Sequence, residues 1–325
     1  MLNAAIYGLG RWGNRLVESV QGSTKIRFVK GISREPEKHK EFSQKTGVKV
    51  VSSYGRVLKD PEIHAVVLAT PHSLHVKQIV QAAKAGKHVF VEKPFTLTRK
   101  TAEKAVEACK AAGITLGVGY NRRYSPSFVE MMNRIRAGQI GDVLHVEATH
   151  SGPTGYGLKA GHWRSTRAEA PGGGMTARGV HTLDAMIAIA GPVTSVYALS
   201  DKRKLPADID IDDTTSMLLK FTGGATGHLS AVFVTAELYR VFVFGSKGWL
   251  EARGDTELMM RGLEGQPERA ALQAVDKEKA ELEAFADAIA EKKSTVIPPQ
   301  EIINGVAVLE AIEPSAKKGK AIQIK

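Results

Sequence analysis

The run Gly8-Leu9-Gly10-Arg11-Trp12-Gly13 directly follows an apolar stretch, Asn3 to Tyr7, and opens a helical period. This order of strand, glycine turn and helix constrains the fold more than any other feature of the chain. A G-x-G-x-x-G spacing in that context gives each glycine a mechanical task. Gly8 makes the tight turn, Gly10 lets the backbone approach a pyrophosphate without a β-carbon in the way, and Gly13 packs the helix close to the strand. Free N–H groups at the helix start, around Arg11 and Trp12, then face the phosphates. The residues imply a dinucleotide-binding α/β domain.

Short apolar runs go on alternating with amphipathic stretches as far as Tyr120: Ile26 to Ile32, Val48 to Val51, Ala65 to Ala69, His88 to Val91 and Thr115 to Val118. Between two of them, Ser73 to Ala85 carries Val76, Ile79, Val80 and Ala83 at helical spacing. The pattern predicts a Rossmann-type, doubly wound parallel sheet over residues 1–121. Its second strand ends in Gly31-Ile32-Ser33-Arg34. Ser33 falls about twenty residues beyond the glycine run, where an NAD site carries an acid on the ribose 2′-hydroxyl. Serine and arginine suit a 2′-phosphate instead, with Lys38 in support, so the reading is NADP in preference to NAD. Glu35 is the competing acid if the strand ends a residue or two later.

After Tyr120 the texture changes. A helix from Pro126 to Ala137, a strand from Val143 to His150 and a Gly-rich polar stretch lead to a second helix, Val180 to Ala190. Strand-like runs follow at Val193 to Leu199, Ser216 to Phe221, Ala225 to Val234, Arg240 to Gly245 and Gly248 to Glu251. Turns such as Thr222-Gly223-Gly224 are too short for helical crossovers, which predicts a large, mostly antiparallel sheet. Helices from Lys277 to Glu291 and Pro299 to Ala311 close the chain, so residues 122–325 read as an α+β domain for substrate binding and oligomerisation. A length of 325 residues suits two such domains.

With 43% apolar and 24% charged residues the composition is globular, and no apolar run has the length of a membrane span. The formal charge of +11 is scattered, without the basic and aromatic interleaving of a nucleic-acid surface. It fits an anionic cofactor. The single cysteine, Cys109, lies on the apolar stripe Ala102, Ala105, Val106 and is expected in the core. The first strand leaves no room for a signal peptide, and a cytoplasmic location is the expectation.

Further motifs follow in a set order: Ala69-Thr70-Pro71-His72-Ser73-Leu74-His75, then Glu92-Lys93-Pro94, then Gly172-Gly173-Gly174 and Gly179-Val180-His181. With the glycine run, this order resembles the glucose-fructose oxidoreductase, inositol dehydrogenase and MocA (Gfo/Idh/MocA) family over essentially the whole chain. The resemblance implies hydride transfer between a nicotinamide and a hydroxyl-bearing carbon of a sugar, cyclitol or related small polar molecule. It implies that Lys93 manages the alcohol proton, beside Glu92 and a Pro94 often held in cis. Ala69, Thr70 and Pro71 would lie beneath the nicotinamide ribose with His75 one turn on. Asn121 and Arg122 would contact cofactor or substrate, Trp163 and Arg164 the substrate, and His181 would be the second proton-handling residue. A plain helix start explains Thr70 to Ser73 nearly as well, which leaves a structural role open for His75.

The family usually carries an aspartate four residues before this histidine, on the same helical face. Here that residue is Ala177, and Asp184 is expected to be structural rather than a substitute. The departure keeps two alternatives open: a dinucleotide-binding regulatory or sensor protein, and a lyase or glycosidase that uses the cofactor transiently. His150, His162 and His181 do not fall at zinc-ligand spacing, so no metal is expected. Ser151 to Ala170 is the expected substrate determinant. A homodimer or homotetramer is expected through the runs Ser216 to Phe221 and Ala225 to Val234.

Overall fold

Six strands make a parallel sheet: β1 (Leu2–Tyr7), β2 (Ile26–Ile32), β3 (Lys49–Val51), β4 (Ala65–Leu68), β5 (His88–Glu92) and β6 (Leu116–Gly119). They lie in the order β3-β2-β1-β4-β5-β6. That is the doubly wound order whose switch point, between β1 and β4, is where such sheets bind ligands at the carboxyl ends of the strands. The connecting helices are α1 (Arg11–Ser19), α2 (Lys40–Thr46), α3 (Tyr54–Leu58), α4 (His75–Lys84) and α5 (Arg99–Ala111). β4 is buried at every position, as a strand covered on both faces must be. The computed structural model describes residues 1–324.

The second sheet contains β7 (Val143–Ser151), β8 (Val193–Asp201), β9 (Thr214–Phe221), β10 (Thr226–Val232), β11 (Leu238–Gly245), β12 (Gly248–Arg253), β13 (Glu257–Gly262), β14 (Glu268–Ala271) and β15 (Ile322–Gln323). Their order is β14-β13-β12-β11-β7-β10-β9-β8-β15. Consecutive strands joined by short turns pair antiparallel, as expected. β7 is the exception: it enters the middle of the sheet, antiparallel to β11 but parallel to β10. The sequence gives no strand signal for β13, β14 or β15, whose residues are largely polar or partly exposed. Helices α6 (Pro126–Arg136) and α7 (Val180–Ala190) pack on one face of this sheet, where Val146, Ala148, Val241 and Val243 point inward.

Two further helices, α8 (Lys277–Ala290) and α9 (Pro299–Lys318), have different allegiances. The chain forms two compact units, the first made of Met1–Thr96, Lys100–Asn121 and Asp276–Pro299, the second of Leu97–Arg99, Arg122–Val275 and Gln300–Lys325. The segment carrying α8, assigned above to the second domain, therefore belongs to the first. The reason is apolar: Leu282, Phe285 and Ala286 join Leu16, Val17, Phe28 and Phe90 in one buried cluster, with the Phe90 and Phe285 rings 5.6 Å apart, edge to face. α9 also runs past Ala311, its expected end before Pro314. Ser315 is buried there, its hydroxyl donating to Lys320 O and accepting from Ala198 N at 2.9 Å, so tertiary contacts override the proline.

Candidate active site

In the first unit the glycine run does what its spacing implies. Gly8 sits at φ 106°, in the left-handed region. A β-carbon on Gly8 would collide with the Ala69 carbonyl, and one on Gly13 with the Gly8 carbonyl. By contrast, a β-carbon on Gly10 would meet nothing within 4 Å. The protein leaves open space at the one glycine assigned to the pyrophosphate. Gly10 caps α1 without a side-chain hydrogen bond, and the first turn holds no acid, so the helix N–H groups there suit an anion. These observations fit a dinucleotide held by Gly8, Gly10 and the Arg11-Trp12-Gly13 turn.

Ser33 and Arg34 follow β2 directly, so the strand does not extend to Glu35. Glu35 is instead paired with Lys38 at 2.6 Å, which lowers the carboxyl's pKa through that hydrogen bond. A residue that the sequence reading missed also stands at this turn: His39 Nε2 lies 3.0 Å from Ser33 Oγ.

At the ends of β4 and β5, Thr70 is buried and its hydroxyl donates to Gln78 Oε1 at 2.6 Å. His75, assigned above to the cofactor, is wholly buried. Its Nδ1 lies 3.2 Å from Pro94 O and 3.1 Å from Phe95 O, and its Nε2 lies 3.1 Å from Thr70 O. It ties the Thr70-Pro71 loop to the turn after Lys93 and acts as a brace. The Lys93–Pro94 bond is cis.

Lys93 stands at the carboxyl end of β5, where α/β sheets bind ligands. The preceding Glu92 is buried, and its Oε2 accepts from Lys93 N at 3.3 Å. Burial pushes its carboxyl up to about 7, against the pull of the Trp12 indole N–H and the Lys93 charge. α8 adds two more carboxyls that sequence reasoning could not have brought here. Glu278 Oε1 accepts from Asn121 Nδ2 at 2.7 Å and its Oε2 from Arg15 Nη2 at 2.7 Å. Glu281 is buried beside Glu92 and Glu278, and burial first, then those two neighbours, raise its pKa well above the usual carboxylate range. Cys109 is core as expected, its thiol pushed up to about 12 by burial.

In the second unit, His181 opens α7 and is buried. Its ring is 5.7 Å from that of His150, which meets the Tyr239 ring edge-on at 5.2 Å. His150 Nδ1 donates to Arg178 O at 2.9 Å, which leaves Nε2 as the acceptor of the neutral ring. Arg122 lies over Tyr239 at 4.4 Å and is ion-paired with Asp255, which Ser125 Oγ also reaches at 2.8 Å. The Tyr239 hydroxyl is buried without a hydrogen-bond partner among the described residues. A donor left so is costly unless a ligand completes it. Tyr239 and His150 were missed because alternation along a strand marks which face is buried, not which buried group is chemical.

Trp163 and Arg164 form a stack of their own with His162: the Arg164 guanidinium lies 4.1 Å from the Trp163 ring centroid. Asp184 receives Arg123 at 2.6 and 2.8 Å, and Arg123 also reaches Glu301 at 2.7 Å; it is structural, as expected. Ala177 corrects the helical argument. Met175–Gly179 is a π turn rather than α-helix, so a residue four before His181 does not share its face by the α-helical rule. Ala177 packs instead against the apolar cluster of Ala170, Ile209, Ile211 and Phe233. The regulatory alternative rested on Ala177 alone and loses that support. Among the described residues no group of His, Cys, Asp or Glu could hold a metal ion, and no helix is long and apolar enough to cross a membrane.

Fold and strand-end chemistry together define an NAD(P)-dependent oxidoreductase. The family described as "Oxidoreductase family, NAD-binding Rossmann fold" matches residues 2–120, and the Gfo/Idh/MocA C-terminal domain matches residues 128–251. The chain belongs to the Gfo/Idh/MocA family. It is similar to the uncharacterized oxidoreductase YrbE of Bacillus subtilis, 30% identical over 250 residues that span 75% of this chain and 71% of that protein. The scyllo-inositol 2-dehydrogenase (NAD(+)) of the same organism is 35% identical over 149 residues, 44% of this chain and 43% of that one. A crystal structure of aldose-aldose oxidoreductase from Caulobacter crescentus complexed with glycerol superimposes with a TM-score of 0.90 at 27% identity, covering 99% of each chain.

Proposed function

We propose that the protein is an NADP-preferring dehydrogenase acting on a hydroxyl-bearing carbon of a sugar, cyclitol or related polyol. The observation that carries the cofactor preference is the end of β2, where Ser33 and Arg34 stand without a free acid because Glu35 is engaged by Lys38. The substrate class is supported by the names of the inositol and aldose relatives. Bound nicotinamide supplies the hydride acceptor or donor. Lys93 exchanges the alcohol proton as the carbonyl forms or is reduced. In the second unit His181 assists, while Arg122 and the Tyr239 hydroxyl bind substrate oxygens, and Trp163 with Arg164 selects among substrates.

Purified protein mixed with NADP and a panel of polyols is expected to generate the absorbance of reduced nicotinamide, more slowly with NAD. Lys93→Ala should lower turnover by about 10²–10⁴-fold, the usual contribution of a proton-transfer group, while dinucleotide still binds. Full turnover in that variant would remove Lys93 from the chemistry, and NAD bound as tightly as NADP would remove the preference.

Self-association belongs to the same reading. The face of the second sheet opposite α7 carries Phe242, Phe244 and Trp249 in mutual contact, with Leu218 and Leu199 more than half exposed on the same side. A second copy of this chain would bury that face.

A further inference from the structure

The turn after β2 is built to bring one imidazole to one hydroxyl. Ser33 N donates to Val51 O at 3.1 Å, pinning the residue to β3, and Ser33 Oγ accepts from Glu35 N at 3.2 Å. Pro36 then starts a single 3₁₀ turn, Pro36–His39, closed by Lys38 N on Glu35 O at 3.2 Å. That turn returns His39 to Ser33, with Nε2 3.0 Å from Oγ.

A serine hydroxyl has one proton and two acceptor sites. In Ser33 one acceptor site is taken by Glu35 N, so the imidazole decides what the hydroxyl proton does. Against a neutral ring with its lone pair on Nε2, the proton is spent on His39. Against a ring that carries a proton on Nε2, Nε2–H donates to Oγ and the hydroxyl proton is released toward whatever occupies the strand end; the neutral ring does this in one tautomer only, the protonated ring always, and only the protonated ring adds a positive charge beside a bound phosphate. We propose that His39 is a specificity residue for the 2′-phosphate of NADP, binding it through Ser33 with uptake of a proton by the imidazole. The proposal rests on the dinucleotide and NADP reading above and adds a residue and a proton to it.

The surroundings favour this coupling. The charged groups on the elements around the ring are Arg34, Glu35, Glu37 and Lys38 in its own turn, Lys40 and Glu41 on α2, and Lys49 on β3. They are nearly balanced in sign, and the carboxylate of Glu35, the one that senses His39, is held by Lys38. A phosphate dianion brought to Ser33 would therefore be the largest change in charge that the imidazole meets. The ribose hydroxyl of NAD brings no charge and can bond Ser33 with the ring in either state.

The test is calorimetric titration of the full-length protein with NADP and with NAD at pH 7.5, in buffers of differing ionisation heat, so that proton uptake is counted directly. At that pH the ligand's own phosphate, with a second pKa of about 6, is already ionised. NADP binding should take up a fraction of a proton, more than NAD does. Its affinity should weaken from pH 6.5 to 8.5 with a slope of up to about tenfold per unit, the limit for one linked proton. His39→Gln, which keeps a hydrogen-bonding side chain but cannot take the proton, should flatten that slope, abolish the uptake and shift the affinity ratio toward NAD. Ser33→Ala should flatten it too. Absence of uptake in the wild type, or uptake and slope retained in either variant, overturns the proposal. Equal NADP and NAD affinities in the wild type would instead overturn the preference, which is read from the affinities and not from the proton count.

Discussion

Neither carboxylate oxygen of Glu281 has a hydrogen-bond partner among the described residues, although the side chain is buried. Burial and its neighbours Glu92 and Glu278 raise its pKa, so the folded protein holds a proton there that the unfolded chain releases at lower pH. The sign follows. The stability this group contributes is complete below the ordinary glutamate range and is lost as pH rises through the raised folded-state value, and Glu92, at about 7, behaves alike. Glu281→Gln keeps the shape and removes the titration. It should raise the melting temperature of the first unit at pH 8, by about 2–4 °C for each kcal/mol recovered, and change it little at pH 5. An equal effect at both pH values would mean that packing, not charge, governs the position.

At the scale of elements, the two sheets were legible to different depths. The six strands of the first sheet are short, mostly apolar runs, and β2 coincides with its expected bounds, Ile26 to Ile32, although Arg27 within it is exposed. β14 and β15 were invisible because an edge strand needs only one apolar face or none, and β13, one place in from the edge, buries only Leu258. The π turn at Met175–Gly179 was illegible for another reason: periodicity near a helix start does not distinguish α from π when three glycines precede it. There Gly173 takes φ 53° against the Asp212 backbone, a tertiary constraint with no local signature. Of the candidate site, Lys93, Thr70 and the glycine turn could be read from motif order, whereas His39, Tyr239 and Glu281 could not. Their roles depend on which neighbour the fold supplies. The aromatic face of β11 and β12 makes a prediction of its own. Phe244→Lys places a charge between His145 and Trp249 and should convert an oligomer to monomers in light scattering without loss of far-UV circular dichroism. A wild type that is monomeric at tens of micromolar would exclude this face as an interface.

On the scale of the whole chain, the first unit is discontinuous, and its core is incomplete without α8. Residues 1–121 alone would leave the cluster around Leu16, Phe28 and Phe90 without Leu282 and Phe285. Losing one buried phenylalanine costs about 3–5 kcal/mol, a large part of the roughly 5–15 kcal/mol by which domains are stable. Residues 1–121 should therefore aggregate or unfold, whereas residues 1–121 joined through a flexible linker to 276–299 should fold cooperatively and bind dinucleotide. A stable, binding-competent 1–121 fragment would contradict the role given to α8.

That discontinuity also bears on synthesis. When Asn121 leaves the ribosome the parallel sheet is complete in strands, but the helix that covers part of it, Lys277–Ala290, begins about 155 residues downstream. At about 5–20 residues per second this leaves an apolar surface waiting for roughly eight to thirty seconds while the second unit is made. The nascent chain is then most in need of a holding chaperone in the middle of translation, and slow codons between Arg122 and Val275 would lengthen that exposure instead of helping the first unit to fold.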